Sequence, residues 1–210
     1  MRQRRKKSSP YIIGLTGSIG MGKTTIAKMF AKQGAAVCDS DAIVHRLLGK
    51  NGKAVEGVAR YFPDTLSKNA IDRNALGQQV FADRDKLKEL EMILHPLVQV
   101  EQQQFIDRMK RKGKKVIVLD IPLLFETGAE KRCHSVVVVS APLFIQKQRV
   151  MKRAGMTKEK VTSILARQMP DKQKCKHADV IIDTGLGKAR SYQQAAKMLQ
   201  KVLCQTKNTA

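Results

Sequence analysis

Gly17-Ser18-Ile19-Gly20-Met21-Gly22-Lys23-Thr24 fits the spacing G-x-x-x-x-G-K-[ST] and follows the apolar run Tyr11-Ile12-Ile13-Gly14-Leu15. Glycines at those positions let the main chain come close to an anion. Backbone N–H groups can then surround phosphate oxygens while the next helix directs the positive end of its dipole at them. Ile26, Met29 and Phe30, at helical spacing, supply that helix. Lys23 is the residue type that neutralises β and γ phosphates, and the Thr24 hydroxyl is a hard oxygen ligand suited to Mg²⁺. The candidate nucleotide-binding set is Gly17, Ser18, Ile19, Gly20, Met21, Gly22, Lys23, Thr24 and Thr25, with Thr24 the candidate metal ligand. The expected ligand is a purine nucleoside triphosphate, ATP before others, together with Mg²⁺. A chance glycine-rich turn would lack both the strand before and the helix after.

Three carboxylates stand where apolar strand-like runs end. Asp39 and Asp41 lie in Cys38-Asp39-Ser40-Asp41, and Asp120 follows Val116-Ile117-Val118-Leu119. A carboxylate there can bind Mg²⁺, directly or through water, or take the proton from an attacking hydroxyl. Each also has a plainer reading as a helix cap or turn residue, stronger for Asp39 than for Asp41. Arg149 and Arg153 fall four apart in Gln148-Arg149-Val150-Met151-Lys152-Arg153, which would place both on one helical face above a triphosphate. Guanidinium groups so placed stabilise the charge spread over transferring phosphoryl oxygens; ordinary exposed cations are the alternative. Taken alone, His95-Pro96 reads as a helix N-terminal feature.

Short apolar runs alternate with helical patterns along the chain, as in a parallel sheet covered on both faces. The expected strands are Ile12 to Leu15, Ala35 to Cys38, Val116 to Leu119, Val136 to Val139 and Val180 to Ile182. Ligands of such sheets bind beyond the carboxyl ends of the strands, where the three aspartates fall. Between the second and third strands, residues 42–115 are too many for a simple crossover. Leu87, Leu90, Ile93 and Leu94 recur there at helical spacing, so the segment is expected to form a helical lobe, closed by a turn at Gly113-Lys114-Lys115.

The 210 residues, 42% of them hydrophobic, suffice for one substantial core. No run of about 18 apolar residues occurs, and Met1 to Pro10 is too short and polar for an export signal, so a chain without membrane association is expected. Cys38, Cys133, Cys175 and Cys204 form no C-x-x-C pair. Reduced thiols and a cytoplasmic location follow, rather than a zinc site or a stapled secreted scaffold. The net charge of +22 invites a nucleic-acid partner. However, the basic arm (residues 1–10) holds only five of the 40 Lys and Arg, and the few aromatics, six Phe and three Tyr, do not cluster with basic runs. The arm reads as a disordered, solvated tail with at most weak nonspecific nucleic-acid or membrane-surface contact. Deleting Met1 to Ser8 is expected to leave kcat and KM for ATP within about twofold while any salt-sensitive nucleic-acid affinity falls; steady-state assays of the truncated chain check this.

Taken together, these residues resemble the dephospho-coenzyme A kinase family over nearly the whole chain. Gly14 through Thr24 resembles its phosphate loop, and Asp39-Ser40-Asp41 its Asp-x-Asp. Ile71-Asp72-Arg73, Val80-Phe81, Leu90-Glu91 and His95-Pro96 resemble landmarks of its coenzyme lobe. Asp120-Ile121-Pro122-Leu123-Leu124-Phe125-Glu126 resembles its Pro-Leu-Leu-hydrophobic-Glu segment, and Arg149 through Arg153 its lid helix.

The resemblance implies an α/β, adenylate-kinase-like P-loop NTPase fold with a five-stranded parallel sheet, helical substrate lobe and lid. The kinase domain would span 11–205, with its coenzyme lobe at about 42–115 and its lid at about 146–170. It implies ATP-dependent phosphorylation of the ribose 3′-hydroxyl of dephospho-coenzyme A. Asp41 would be the base, Lys23 and Arg149 would stabilise the γ-phosphoryl, and Arg153 would add to the nucleotide site. Arg73, His95 and Pro122 would contact the coenzyme. A monomer or weak homo-oligomer is expected. A kinase of another small nucleoside or nucleotide, or a nucleic-acid-binding P-loop protein, are the alternatives. Three departures stand out: Ser18 occupies a usual glycine position, Thr24 stands where serine is common and preserves the hydroxyl, and Asp183-Thr184-Gly185 replaces the Asn and Gly usual after the last strand.

Overall fold

Five apolar runs pair into one sheet, the central three largely buried on both faces and the two edge runs only in part. In the computed structural model, which describes residues 9–81 and 83–208, the chain begins with β1 (Tyr11–Thr16), α1 (Lys23–Lys32) and β2 (Ala36–Asp39). It returns to the sheet at β5 (Val116–Asp120), after α2 (Ser40–Leu48), α3 (Val55–Tyr61), β3 (Leu66–Ser67), β4 (Ala70–Ile71), α4 (Arg73–Phe81) and α5 (Arg84–Arg111). Then come β6 (Ser135–Ser140), α6 (Leu143–Met151), α7 (Lys158–Ala166), α8 (Asp171–Lys176), β7 (Val180–Asp183) and α9 (Lys188–Asn208). Two compact units result, one from residues up to Cys38 and from Arg108 onward, the other from Asp39–Asp107. The expected arm lies in its first eight residues outside the described ones.

In the first unit the sheet order is β2-β5-β1-β6-β7. β1 runs parallel to β5, with Ile13 opposite Val118, and to β6, with Leu15 opposite Val137; β6 runs parallel to β7. Each of the five expected strands is present, with both ends within one residue of those expected. All five residues of β5 are buried, and Ile13, Leu15, Val118, Val137 and Val139 are fully inaccessible. On one face Ile26 and Phe30 of α1 pack into the same core as Ala195, Met198, Leu199 and Val202 of α9. The chain leaves β1 toward one side of the sheet and later adds β6 and β7 on the other. The carboxyl end of β1 is therefore the topological switch point, where open parallel sheets bind ligands.

The second unit is helical, as its periodicity implies, but it also holds an antiparallel hairpin of β3 and β4 that the sequence reading did not contain. Lys68 and Asn69 at its turn both have positive φ, 48° and 59°, the left-handed pair that closes a two-residue hairpin. A second correction concerns His95-Pro96. Both residues lie inside the 28-residue α5 rather than at a helix start. Pro96 cannot donate to the carbonyl of Met92, a local cost of about 3 kcal/mol that the packing of α5, with Leu90 and Leu94 buried, has to offset. The expected turn at Gly113 ends the segment, with Gly113 at φ 73° and Lys114 N–H donating to the Met109 carbonyl.

Candidate functional site

The connection from β1 to α1 is shaped by contacts that only glycine permits. A Cβ on Gly17 would stand 2.6 Å from the Val139 carbonyl oxygen, so the loop can leave the sheet here only without a side chain. Gly20 has φ 79°, and a Cβ on it would meet Val150 Cγ2 at 2.5 Å. Ser18, the departure from the family pattern, is buried with its φ outside the left-handed region, so its Cβ is accommodated. Gly22 caps α1 without a side-chain hydrogen bond, and the first turn of α1 carries no acidic residue. The positive end of the helix is thus left for an external anion. Thr24 and Thr25, in that first turn, are exposed.

Lys23 and Asp120 form an ion pair, Nζ to Oδ1, with side chains only 15% and 5% exposed. Asp120 closes β5 beside the switch point, so the ammonium that would meet phosphates is held by a carboxylate one strand away. Behind it the Thr16 hydroxyl donates to the Pro122 carbonyl at 3.0 Å, pinning the chain that follows β5. Pro122 also accepts from Lys174 Nζ at 3.2 Å. Lys174 is fully buried and pairs with Glu126 Oε1 at 2.9 Å, and that oxygen accepts the Met169 N–H at 2.7 Å.

Breaking such a buried pair strands a charge. Lys174→Met is expected to lower the unfolding free energy by about 3–5 kcal/mol, with much of it recovered in Lys174→Met/Glu126→Leu, as denaturant unfolding of both variants will measure.

Arg149 is placed where the spacing suggested, near the end of α6. Its guanidinium donates to Thr184 Oγ1 and to the Thr184 carbonyl, both at 2.8 Å, and lies 3.5 Å from the Gly20 carbonyl. Thr184 in turn donates to the Met21 carbonyl at 2.7 Å, so the phosphate loop, α6 and the turn after β7 share one polar network. Asp183 Oδ1 accepts the Gly185 N–H at 2.7 Å, which builds that turn from side-chain polarity. Arg153 does not share the helical face of Arg149: α6 ends at Met151, Lys152 caps it, and Arg153 N–H turns back to the Val150 carbonyl.

In the second unit Asp39 Oδ1 accepts the Ala42 N–H at 3.0 Å and caps α2, the plainer of its two readings. Asp41 stands exposed in the first turn of α2. The preceding residue, Ser40, is buried and accepts Gln102 Nε2 at 2.9 Å, which ties this turn to α5. Arg73 opens α4, whose start is capped by Asp72 Oδ1 accepting from Asn74 and Ala75 N–H. His95 is half-buried within α5.

The four cysteines are free thiols. Burial pushes the Cys133 thiol up to about 11, with the positive charge of Arg132 opposing the rise and the negative charge of Glu130 adding to it, so it stays protonated at neutral pH. Among the described residues no group of three or more His, Cys, Asp and Glu is assembled to hold a metal. Mg²⁺ does not need one, since it keeps waters and is commonly held by one or two protein oxygens plus substrate phosphates. The hard oxygens of Thr24 and Asp120, beside the loop, fit that requirement.

Comparison with known proteins points one way. The sequence model of the dephospho-CoA kinase family matches residues 11–188. The chain belongs to the dephospho-CoA kinase family. A dephospho-CoA kinase of Mesorhizobium japonicum is 52% identical over 176 residues, covering 84% of this chain and 88% of its own. Among solved structures, TT1252 from Thermus thermophilus aligns with a TM-score of 0.80 at 35% identity, over 92% of this chain and 98% of that one. Dephospho-CoA kinase from Campylobacter jejuni aligns at 0.62 and 26%, over 93% and 98%. The fold is that of a P-loop kinase, and kinases of this family use ATP. No described helix is long and apolar enough to cross a membrane.

The residues that sequence reasoning missed are Gln146, Gln168 and Lys174. Glu126 and Thr184 were noticed only as parts of motifs. Their partners lie tens to more than a hundred positions away, so no local pattern announces them.

Proposed function

We propose that this chain transfers the γ-phosphoryl group of ATP to the ribose 3′-hydroxyl of dephospho-coenzyme A, giving ADP and coenzyme A. The observation that carries the reading is the Lys23–Asp120 pair beneath a phosphate loop at the switch point, in a chain of this family. Triphosphate oxygens arriving at the loop compete with Asp120 for the Lys23 ammonium. The exchange of partners draws the charge onto the β and γ phosphates. Backbone N–H groups from Gly17 to Thr25 bind the remaining oxygens.

The bond between the ribose oxygen and the γ-phosphorus forms as the bond from that phosphorus to the β–γ bridging oxygen breaks. The hydroxyl proton passes to the Asp41 carboxylate, and the electrons of the broken bond leave with ADP. Lys23 and Arg149 stabilise charge on the transferring group, and Arg153 adds positive potential. The Thr24 hydroxyl and the Asp120 carboxylate would hold Mg²⁺, which would supply charge neutralisation at the phosphates. Little covalent help is needed, so positioning and electrostatics carry the rate. Arg73, His95 and Pro122 contact the coenzyme. A lid drawn from residues 146–170 excludes water and so limits wasteful hydrolysis. The same reading puts the enzyme in the cytoplasm, where ATP is supplied and thiols stay reduced.

ADP release measured with dephospho-coenzyme A, adenosine, AMP and polynucleotides as acceptors tests the assignment. Turnover only with dephospho-coenzyme A supports it. Comparable turnover with adenosine or AMP would make the chain a kinase of another acceptor.

A further inference from the structure

Two consecutive peptide groups at the tip of the phosphate loop are each held by a glutamine side chain. The Ile19 N–H, in the peptide joining Ser18 to Ile19, donates to Gln168 Oε1 at 3.1 Å. The Ile19 carbonyl, in the peptide joining Ile19 to Gly20, accepts from Gln146 Nε2 at 2.8 Å. Each amide offers the pole its partner needs, and turning either one over would set like poles together. Gln146, on α6, is 5% exposed, so little water competes for its amide. Gln168 is steadied by its neighbour, since the Met169 N–H is bonded to Glu126, which the fully buried Lys174 neutralises. One glutamine precedes α7 and the other follows it, so both roots of the segment carrying α7 are fastened to the same loop residue.

We propose that Gln146 and Gln168 are positioning residues for the phosphate-binding loop. This deepens the reading of ATP as phosphoryl donor and rests on it. Loop N–H groups bind phosphate oxygens only while their peptides are correctly turned, and next to Gly20, with φ 79°, the backbone resists rotation little. Fixing both peptides beforehand removes an ordering cost from nucleotide binding. Neither glutamine is assigned a part in holding the acceptor. The signature is therefore a change toward nucleotide without one toward dephospho-coenzyme A.

The test uses the full chain carrying Gln146→Leu, Gln168→Leu or Gln168→Ser, the last too short to reach Ile19 and suited to a partly exposed position. Steady-state constants for both substrates, calorimetric affinity for ADP and thermal midpoints are measured. KM for ATP and the ADP dissociation constant are expected to rise about three- to tenfold, the range of one hydrogen bond, with KM for dephospho-coenzyme A within about twofold. In Gln146→Leu/Gln168→Leu the loss should be smaller than the product of the single losses, because both act on one loop. Nucleotide constants unchanged in both Gln168 variants, equal weakening toward both substrates, or failure of both to fold would each overturn the assignment. A wild-type chain that does not phosphorylate dephospho-coenzyme A would instead overturn the functional reading, and ADP affinities of the variants would still decide the role of the glutamines.

Discussion

Lys23→Ala is expected to lower kcat/KM for ATP by about a hundredfold or more, equivalent to roughly 2.7 kcal/mol of lost transition-state stabilisation. In the nucleotide-free chain the same side chain neutralises Asp120, which is 4% exposed. The substitution therefore also removes the ion-pair partner of a nearly buried carboxylate, and an unfolding free energy lower by about 3 kcal/mol, the low end for a broken buried pair, is expected. Stability and catalysis part company in the double variant. Lys23→Ala/Asp120→Asn removes both charges, so denaturant unfolding should return most of the stability while kcat/KM stays low. Catalysis near wild type in Lys23→Ala would refute the role given to the lysine. Stability regained together with activity would mean that the pair acts only on folding.

How far the sequence carried depends on the range of the interaction concerned. The strands of the main sheet were legible because β5 and β6 are buried on both faces and so must be apolar without interruption. The phosphate loop was legible because its constraints are local: the approach of Gly17 to Val139 and the turned backbone at Gly20 leave glycine in the sequence itself. The hairpin of β3 and β4 was not legible, since its strands are two residues each, Leu66 and Ser67 are exposed, and its turn holds Lys68-Asn69 where glycine would have signalled it. Pro96 misled in the other direction, because a proline that usually marks a helix boundary is carried here by the packing of a long helix. Arg153 was misplaced because nothing in the spacing reveals that α6 stops at Met151, with Gly155 at φ 73° soon after. The polar network joining Arg149, Thr184 and Met21 spans more than 160 positions and follows from the sheet order alone.

Asp41→Asn is expected to reduce kcat by about 10² to 10⁴, with ATP affinity little changed, because it keeps shape and polarity but removes the basic carboxylate. Asp39→Asn is the control that the structure supplies. Asp39 spends its carboxylate on the Ala42 N–H, and asparagine caps a helix as well as aspartate does, so its activity and thermal midpoint should stay near those of the wild type. Asp39→Ala should lose about 1 kcal/mol of stability from the missing cap. Asp41 is not the N-cap of α2 and stands exposed in its first turn. A carboxylate that acts through Mg²⁺ would behave differently from one that takes a proton. Raising the metal concentration would restore part of the rate in the first case and none in the second. Single-turnover phosphoryl transfer by both Asp→Asn variants across a magnesium series separates the two. No rescue of Asp41→Asn, beside an Asp39→Asn variant of nearly full activity, is the result expected of a general base in α2; an Asp41→Asn enzyme as fast as the wild type would end the assignment.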